Sequence, residues 1–276
     1  MTTPKERIDV LLVERGFYES REKAKKALMA GLVLVDNEPI DKSGMKVART
    51  ADIKVKGAIH AYVSRGGLKL EKAIRAFELD LVGRTMLDIG ASTGGFTDCA
   101  LQNGAEYVYA IDVGYNQLDW SLRQDPRVNV MERVNFRYMK PEELLGPKPT
   151  FATIDVSFIS LKLILPALSG LIDPGSGVMA LIKPQFEAGR DKVGKSGVIR
   201  DSKVHAEVLR HVTLAAAEMG YTLRDLSFSP ITGGEGNIEF LAYWIWENQP
   251  NQQVPDDAAI MELVKQASGT FSAEKQ

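Results

Sequence analysis

The chain has 276 residues, of which 45% are hydrophobic and 25% are charged, a balance typical of a soluble globular protein. At about 100–200 residues per domain, this length predicts one large domain and one small one. No apolar run approaches the ~18–20 residues that cross a bilayer, and the N-terminus lacks the apolar core of a signal peptide. The single cysteine, Cys99, excludes an intramolecular disulfide and a cysteine-based zinc cluster. We therefore expect a cytoplasmic protein that does not bind membranes.

The net charge of −2 conceals an uneven distribution of charge along the chain. Residues 1–75 contain 16 Lys and Arg against 10 Asp and Glu, so they carry +6 and the remaining 201 residues carry −8. A basic segment in front of an acidic body favours contact between that segment and a polyanion. Charge alone does not distinguish such a contact from a chance unevenness in the charge of a solvated surface.

Residues 1–57 are predicted to form a small module of two short helices and a few short strands. Apolar residues recur at helical spacing over residues 7–31, with Gly16 as a breaker, and strand-like stretches follow at 32–35 and 47–55. The stretches 7–12, 20–28 and 31–36 resemble an S4 RNA-binding domain. The resemblance implies that basic side chains neutralise RNA phosphates without reading base sequence. The candidates on one helical face are Arg7, Arg21, Lys25 and Lys26, to which we add Arg65 beyond the module.

After a linker at residues 58–64, strand-like and helix-like stretches alternate. A helix is predicted over residues 65–79. Candidate strands follow at 85–89, 107–112, 128–132, 151–155, 177–183, 222–229 and 238–245, with notable helical stretches at 161–171 and 203–219. Such alternation predicts an α/β fold, a mostly parallel sheet with helices on both faces, over residues 65–247. Residues 248–276 are predicted to form a polar tail with a short helix near 258–267.

The sharpest local signal is the loop of small residues that follows the first strand of this sheet. The strand carries Asp88 near its end, and the glycines at 90, 94 and 95 fit neither a dinucleotide nor a phosphate-binding loop. The next strand ends in Asp112, whose carboxylate could accept both hydroxyls of a ribose. Together these features resemble the S-adenosylmethionine site of a Rossmann-like class I methyltransferase. The expected cofactor-binding residues are Asp88, Gly90, Ala91, Ser92, Gly94, Gly95, Phe96, Asp112, Val113 and Asn135.

Four further polar residues fall where the alternating pattern predicts the rim of an active site. Lys69 lies on the helix before the first strand, Asp155 and Lys183 end the fourth and fifth strands, and Glu239 opens the last. Their order resembles the Lys–Asp–Lys–Glu tetrad of the FtsJ-like ribose 2′-O-methyltransferases. With the S4-like module in front, residues 5–246 are similar to the TlyA, or hemolysin A, family of ribosomal RNA methyltransferases. A surface salt-bridge network is the alternative explanation of these four residues.

The resemblance implies transfer of a methyl group from S-adenosylmethionine to a ribose 2′-OH of ribosomal RNA, with cytidine as the nucleotide. Lys183 would act as general base or orient the hydroxyl, Asp155 would lie between the cofactor and that amine, and Lys69 and Glu239 would position it. The expected partners are ribosomal RNA or ribosomal subunits. No metal is expected, because the three histidines (His60, His205 and His211) are too scattered to form a metal site. The alternatives are a non-catalytic RNA-binding or ribosome-assembly factor and a protein with hemolytic activity.

Overall fold

The computed structural model describes residues 4–18, 20–29, 32–40, 42–55, 61–194, 197–233, 236–252 and 254–273. It divides into one unit that ends at Ala61 and a second that begins at Tyr62. The elements of the first unit are β1 Lys5–Arg7, α1 Ile8–Glu14, α2 Arg21–Met29, β2 Val33–Val35, β3 Glu38–Pro39, β4 Lys46–Ala48 and β5 Ile53–Val55. Strand β1 pairs with β4, while β2 lies between β3 and β5, and all of these pairs are antiparallel.

The two predicted helices of the first unit are confirmed, and each buries an apolar stripe. Ile8, Leu12 and Leu28 are fully buried in one core cluster. Gly16 separates the helices with a φ of +75°, a left-handed conformation that glycine adopts at no steric cost. The expected end of the second helix, at Gly31, lies outside the described residues. Arg7 differs from expectation because it ends β1, immediately before α1, and so does not lie on a helical face.

The second unit is built around a seven-stranded sheet. Its strands are β6 Thr85–Ile89, β7 Tyr107–Asp112, β8 Val128–Glu132, β9 Phe151–Ile154, β10 Ser176–Ile182, β11 Tyr221–Phe228 and β12 Phe240–Trp246. They lie in the order β11-β12-β10-β9-β6-β7-β8, and only β12 runs antiparallel to its neighbours. The predicted mostly parallel α/β sheet is therefore confirmed.

Helices cover both faces of this sheet, so its central strands are apolar on both sides. Every residue of β6, β9 and β10 is buried, and successive residues such as Met86 and Leu87 belong to core clusters on opposite faces. The α-helices are α3 Gly67–Ala76, α4 Gly95–Gln102, α5 Trp120–Arg123, α6 Leu165–Ser169, α7 Pro184–Glu187, α8 Ser202–Glu218 and α9 Asp257–Ala273. The helix predicted over 161–171 is divided into a 3-10 turn and α6, where Pro166 occupies the first turn because it lacks an N–H.

The end of the chain differs most from the prediction of a polar tail. Helix α9 has 17 residues and packs on the second unit through Ile260, Val264, Ala267 and Phe271, all of them buried. Three of these residues join the larger core cluster of the sheet. The C-terminal segment is thus an integral part of the second unit. Within the described ranges, no helix is long and apolar enough to cross a membrane.

The carboxyl ends of the parallel strands and the beginning of β12 meet at one edge of the sheet. This follows from the parallel pairing of β6 with β7 and β9, and from the reversed direction of β12 against β10. Side chains that are distant in sequence therefore converge there, which is where open α/β sheets bind their ligands.

Candidate active site

The four candidate catalytic residues form one connected chain of contacts at this edge. The Lys69 Nζ lies 2.6 Å from Glu239 Oε2 and 3.3 Å from Asp155 Oδ2. The other oxygen of Asp155, Oδ1, lies 2.5 Å from Lys183 Nζ. Lys69, Lys183 and Glu239 are at least nine-tenths buried. The surface salt-bridge alternative is therefore wrong, because this network is buried and continuous.

Burial and charge act in opposite directions on the members of this network. Burial lowers the pKa of Lys69, but the carboxylates of Asp155 and Glu239 outweigh it and hold that pKa above the ordinary value. Burial likewise raises the pKa of Asp155, but Lys69 and Lys183 outweigh it and hold that pKa below the ordinary value. Asp155 thus stays ionised between two amines, and it ties the position of Lys183 to that of Lys69.

Two residues beside the network were missed by the sequence analysis. The Lys183 Nζ also donates to Ser157 Oγ at 3.2 Å, so Ser157 is a second anchor of that amine. Phe158 follows with a φ of +64°, a ring that is 90% exposed, and a ring contact of 5.0 Å with Phe186. A strained backbone and an exposed ring both cost free energy, a combination that favours a role in ligand contact. Without coordinates, no signal distinguished Phe158 from the apolar residues of the preceding strand.

The loop after β6 fits closely against its surroundings because its glycines lack side chains. Gly90 has a φ of +87°, and a Cβ there would lie 2.5 Å from the backbone oxygen of Asp155. Gly94 has a φ of +96°, and a Cβ there would lie 2.3 Å from a methyl carbon of Leu122. The loop therefore packs against the backbone of Asp155, just after β9, on one side and against α5 on the other. Gly95 then begins α4.

Asp112 connects this loop to the end of the neighbouring strand. Its Oδ2 accepts a hydrogen bond from the Ser92 N–H at 2.8 Å, and its Oδ1 accepts one from the Gly114 N–H at 2.6 Å. Asp112 is partly exposed, and a carboxylate has further lone pairs after two such bonds. It can therefore still accept hydrogen bonds from the hydroxyl groups of a ligand. Val113 is 70% exposed beside it, as a residue against a flat ligand would be before binding.

Asp88 lies beneath the loop instead of at its surface. Its side chain is buried, and its oxygens accept hydrogen bonds from the hydroxyls of Thr97, at 2.6 Å, and Thr153, at 3.2 Å. Burial raises the pKa of Asp88 to about 7, although both hydroxyls act in the opposite direction. Asp88 thus joins β6, α4 and β9 and supports the loop from beneath.

The remaining predicted cofactor residues differ in their accessibility. Ser92 is exposed and Ala91 is buried. The Phe96 ring is buried in the core cluster next to α4, so the structure does not bring this side chain to the loop surface. Asn135 is exposed beyond β8, where its side chain accepts from the Arg137 N–H at 3.2 Å and begins a 3-10 turn at Phe136–Tyr138.

The segment that enters the second unit packs directly on the helices around this loop. Residues 58–60 of the predicted linker lie outside the described residues. The Val63 N–H donates to Asp98 Oδ2 at 2.7 Å, and the Tyr62 hydroxyl donates to Glu71 Oε1 at 3.1 Å. Glu71 lies on α3 and Asp98 on α4, so the end of the linker is bonded to both helices.

In the first unit, a buried carboxylate brings together two of the predicted RNA-binding residues. Asp9 accepts from Arg7 Nε at 2.9 Å and from an Arg21 terminal nitrogen at 2.8 Å. The hydrogen bonds from Arg7, with support from Arg21, hold the pKa of Asp9 at about 2 despite its burial. Asp9 was not among our candidates, although a carboxylate two residues after Arg7 predicts an ion pair with it. Lys25 is partly buried on α2, the Lys26 side chain is not described, and Arg65 is exposed in the second unit.

We expect replacement of Asp9 by Asn to destabilise the first unit by about 2 kcal/mol at pH 7, since the charge-assisted hydrogen bonds from both Arg7 and Arg21 are lost or weakened. Because the pKa of Asp9 is lower in the folded chain than its ordinary value of 3.8, this contribution is complete above about pH 4 and is lost as the pH falls towards 2. Native-state hydrogen exchange of the α1 amides measures the effect. The control is Asp52→Asn, which breaks an exposed pair with Lys54 and should cost less than about 0.5 kcal/mol. Equal effects of the two variants would contradict the role of Asp9.

Comparison with known proteins agrees with this geometry. The model of the FtsJ-like methyltransferase family matches residues 62–245, and that of the S4 domain matches residues 6–53. A Bacillus subtilis (strain 168) protein named "Putative rRNA methyltransferase YqxC" is 58% identical over 277 residues, which cover 100% of this chain and 98% of that protein. The "16S/23S rRNA (cytidine-2'-O)-methyltransferase TlyA" of Mycobacterium tuberculosis (strain CDC 1551 / Oshkosh) is 43% identical over 241 residues, 87% of this chain and 88% of that protein.

A solved structure described as "Putative hemolysin from Streptococcus thermophilus" is 51% identical, with a TM-score of 0.79 and coverage of 99% of both chains. The region matched by the FtsJ-like family model, residues 62–245, includes all four residues of the buried network and the loop after β6. The chain therefore belongs to the FtsJ-like methyltransferases and, among these, to the S4-containing TlyA family.

Proposed function

We propose that this protein uses S-adenosylmethionine to methylate a ribose 2′-OH of ribosomal RNA in the cytoplasm, with cytidine as the target nucleotide. The observation that carries the proposal is the buried chain of contacts from Glu239 through Lys69 and Asp155 to Lys183, at the edge of the sheet that also holds the loop after β6. The names of the relatives support ribosomal RNA as the substrate.

The residues at this edge fit such a cofactor in shape and charge. Gly90 leaves no room for a side chain between the loop and Asp155, and the carboxylate of Asp112 is partly exposed for a ribose. The carboxyl group of Asp112 lies beside the loop and that of Asp88 lies beneath it, which suits a cationic ligand. The residues that would hold the cofactor are the loop residues 90–95 together with Asp112 and Val113, with Asn135 nearest the base.

Bound S-adenosylmethionine supplies a methyl group on a positively charged sulfonium. The protein must then align the hydroxyl oxygen with that carbon and remove a proton from a weakly acidic hydroxyl. Lys183 is suited to hold the hydroxyl and accept its proton, because Asp155 and Ser157 fix its amine from two sides. Lys69 keeps Asp155 ionised and in place.

The experiment that tests the proposal is methyl transfer from S-adenosylmethionine with a radiolabelled methyl group to purified small and large ribosomal subunits. A 2′-O-methyl group blocks attack of that oxygen on the neighbouring phosphate, so the labelled position resists alkaline hydrolysis. We expect label in alkali-stable dinucleotides. Label confined to bases would contradict ribose methylation. Cofactor binding without label on either subunit would favour the alternative of a non-catalytic RNA-binding factor.

A further inference from the structure

Helix α3 carries a second lysine, Lys72, one turn after Lys69. Its ammonium lies 3.5 Å from the centre of the Phe228 ring, a cation–π contact. Burial lowers the pKa of Lys72, and among the described residues no carboxylate forms an ion pair with its amine. Lys72 is therefore a partly desolvated cation whose described neighbour is an aromatic ring.

The other basic residues of α3 form ion pairs with carboxylates. Lys69 contacts two carboxylates, and Arg75 pairs with Glu71 at 3.2 Å. Residues 58–75 contain four Lys and Arg against one Asp or Glu, so they supply half of the +6 carried by residues 1–75. Half of the positive charge that the sequence suggested for the S4-like module thus belongs to residues 58–75, which lead into α3 and include most of it. On α3, Lys72 is the basic residue for which the structure describes no ion pair.

Lys72 lies at the rim of the tetrad and outside its network. Phe228 ends β11, and the next residue, Ser229, donates its N–H to the backbone oxygen of Glu239 at 2.8 Å. Side chains on a helix tilt towards its N-terminus, so the long side chain of Lys72 extends towards the turn that holds Lys69. The ammonium of Lys72 therefore lies at the same edge of the sheet as the reacting groups.

The C-terminal helix supports the ring on which Lys72 rests. Phe271 of α9 makes an edge contact with Phe228, at 6.4 Å between ring centres. Phe271 is buried, and α9 lies beyond residues 62–245, the part matched by the FtsJ-like family model. The Phe228 ring is thus supported by a helix outside the region that the FtsJ-like family model matches. This contact helps to hold in place the ring on which the Lys72 ammonium rests.

We propose that Lys72, on the platform of Phe228, binds a backbone phosphate of the RNA substrate beside the target nucleotide. The proposal rests on the proposed function and adds a contact that lies outside the tetrad and the S4-like module. A phosphate oxygen is a stronger partner for an ammonium than a phenyl ring, so the lysine gains a charge-assisted hydrogen bond when RNA arrives. A flexible lysine suits this role, because a phosphate needs a point charge near it and no base is read.

The test compares the full-length wild type with Lys72→Met, which keeps the length of the side chain and removes its charge. We expect the KM for the ribosomal subunit that accepts methyl groups to rise about tenfold, and the slope of log(kcat/KM) against log[salt] to fall by about one. We expect kcat at saturation and the cofactor Kd to stay within a factor of two, and Lys72→Arg to restore most of the KM.

The matched control is Lys148→Met, which removes a lysine from the same unit at the opposite edge of the sheet, where it pairs with Asp173. It should change none of these quantities. An unchanged KM and salt slope in Lys72→Met would overturn the proposal, and so would a raised cofactor Kd with an unchanged slope, which would assign Lys72 to the carboxylate of the cofactor. Direct binding of subunits to both variants by sedimentation tests the contact separately. If the wild type binds subunits but transfers no methyl group, the proposed function fails while the phosphate contact is still tested.

Discussion

Replacing Lys183 by Met should lower the rate of methyl transfer at saturating RNA and cofactor by about 10²–10⁴-fold, the usual contribution of a general base. The reason is geometric. The Lys183 amine lies at the end of the chain of contacts, 2.5 Å from Asp155 and 3.2 Å from Ser157, and a methionine there can neither hold the ribose hydroxyl nor accept its proton. Single-turnover transfer of labelled methyl groups measures the rate. Cofactor affinity, measured by calorimetry, should change less than about threefold, because Lys183 is not part of the loop after β6.

The variant Lys183→Arg distinguishes a role of this residue as a general base from a role as a fixed positive charge. Arginine keeps the charge and can still pair with Asp155, but its pKa is too high for it to accept a proton. If Lys183 is the base, the Arg variant should be nearly as inactive as the Met variant. Substantial activity in Lys183→Arg would show that the residue only orients the hydroxyl, and full activity in Lys183→Met would exclude Lys183 from the reaction.

The placement of the tetrad could be predicted from sequence because two simple patterns coincide. Strands buried on both faces appear as short apolar runs, such as the one that ends at Ile182, so the residue that follows each run is assigned to the edge of the sheet. Parallel pairing then brings Asp155 and Lys183 together. Which amine pairs with which carboxylate oxygen could not be predicted, because the bridging of Asp155 and Glu239 by Lys69 depends on the approach of α3 to the sheet.

The errors have equally physical causes. The stripe of α9 includes Ile260, Val264 and Ala267 at helical spacing, but Ser268, Gly269 and Thr270 follow it and weaken the helical signal. Such a stripe is buried where the rest of the fold leaves an apolar surface uncovered. The residues of the helix themselves do not show that surface. Phe96 was assigned to the cofactor from its place in the loop motif, although the start of α4 turns its ring into the core.

Gly90→Ala should disrupt the cofactor loop and the tetrad together, with a loss of about 100-fold in kcat, since a displacement of about 1 Å at a reacting group has this effect. The new Cβ would lie 2.5 Å from the backbone oxygen of Asp155, at a φ of +87°. Asp155 cannot move away freely, because its N–H donates to the Ile89 backbone oxygen at 2.9 Å. We expect a loss of about 2–4 kcal/mol in stability from left-handed strain and overpacking combined. Chemical denaturation and methyl transfer measure the two losses.

Gly175→Ala is the matched control, because Gly175 has a φ of +92° and no atom within 4 Å of an added Cβ. It lies just before β10, at the edge of the sheet away from the tetrad, so its variant isolates the cost of the left-handed backbone. That cost should be about 1 kcal/mol, with kcat unchanged. If Gly90→Ala loses no more stability than Gly175→Ala and keeps its kcat, then the contact between the loop and Asp155 does not align the reacting groups. A large additional loss in Gly90→Ala would mean that one backbone contact fixes both the loop and the carboxylate that holds Lys183.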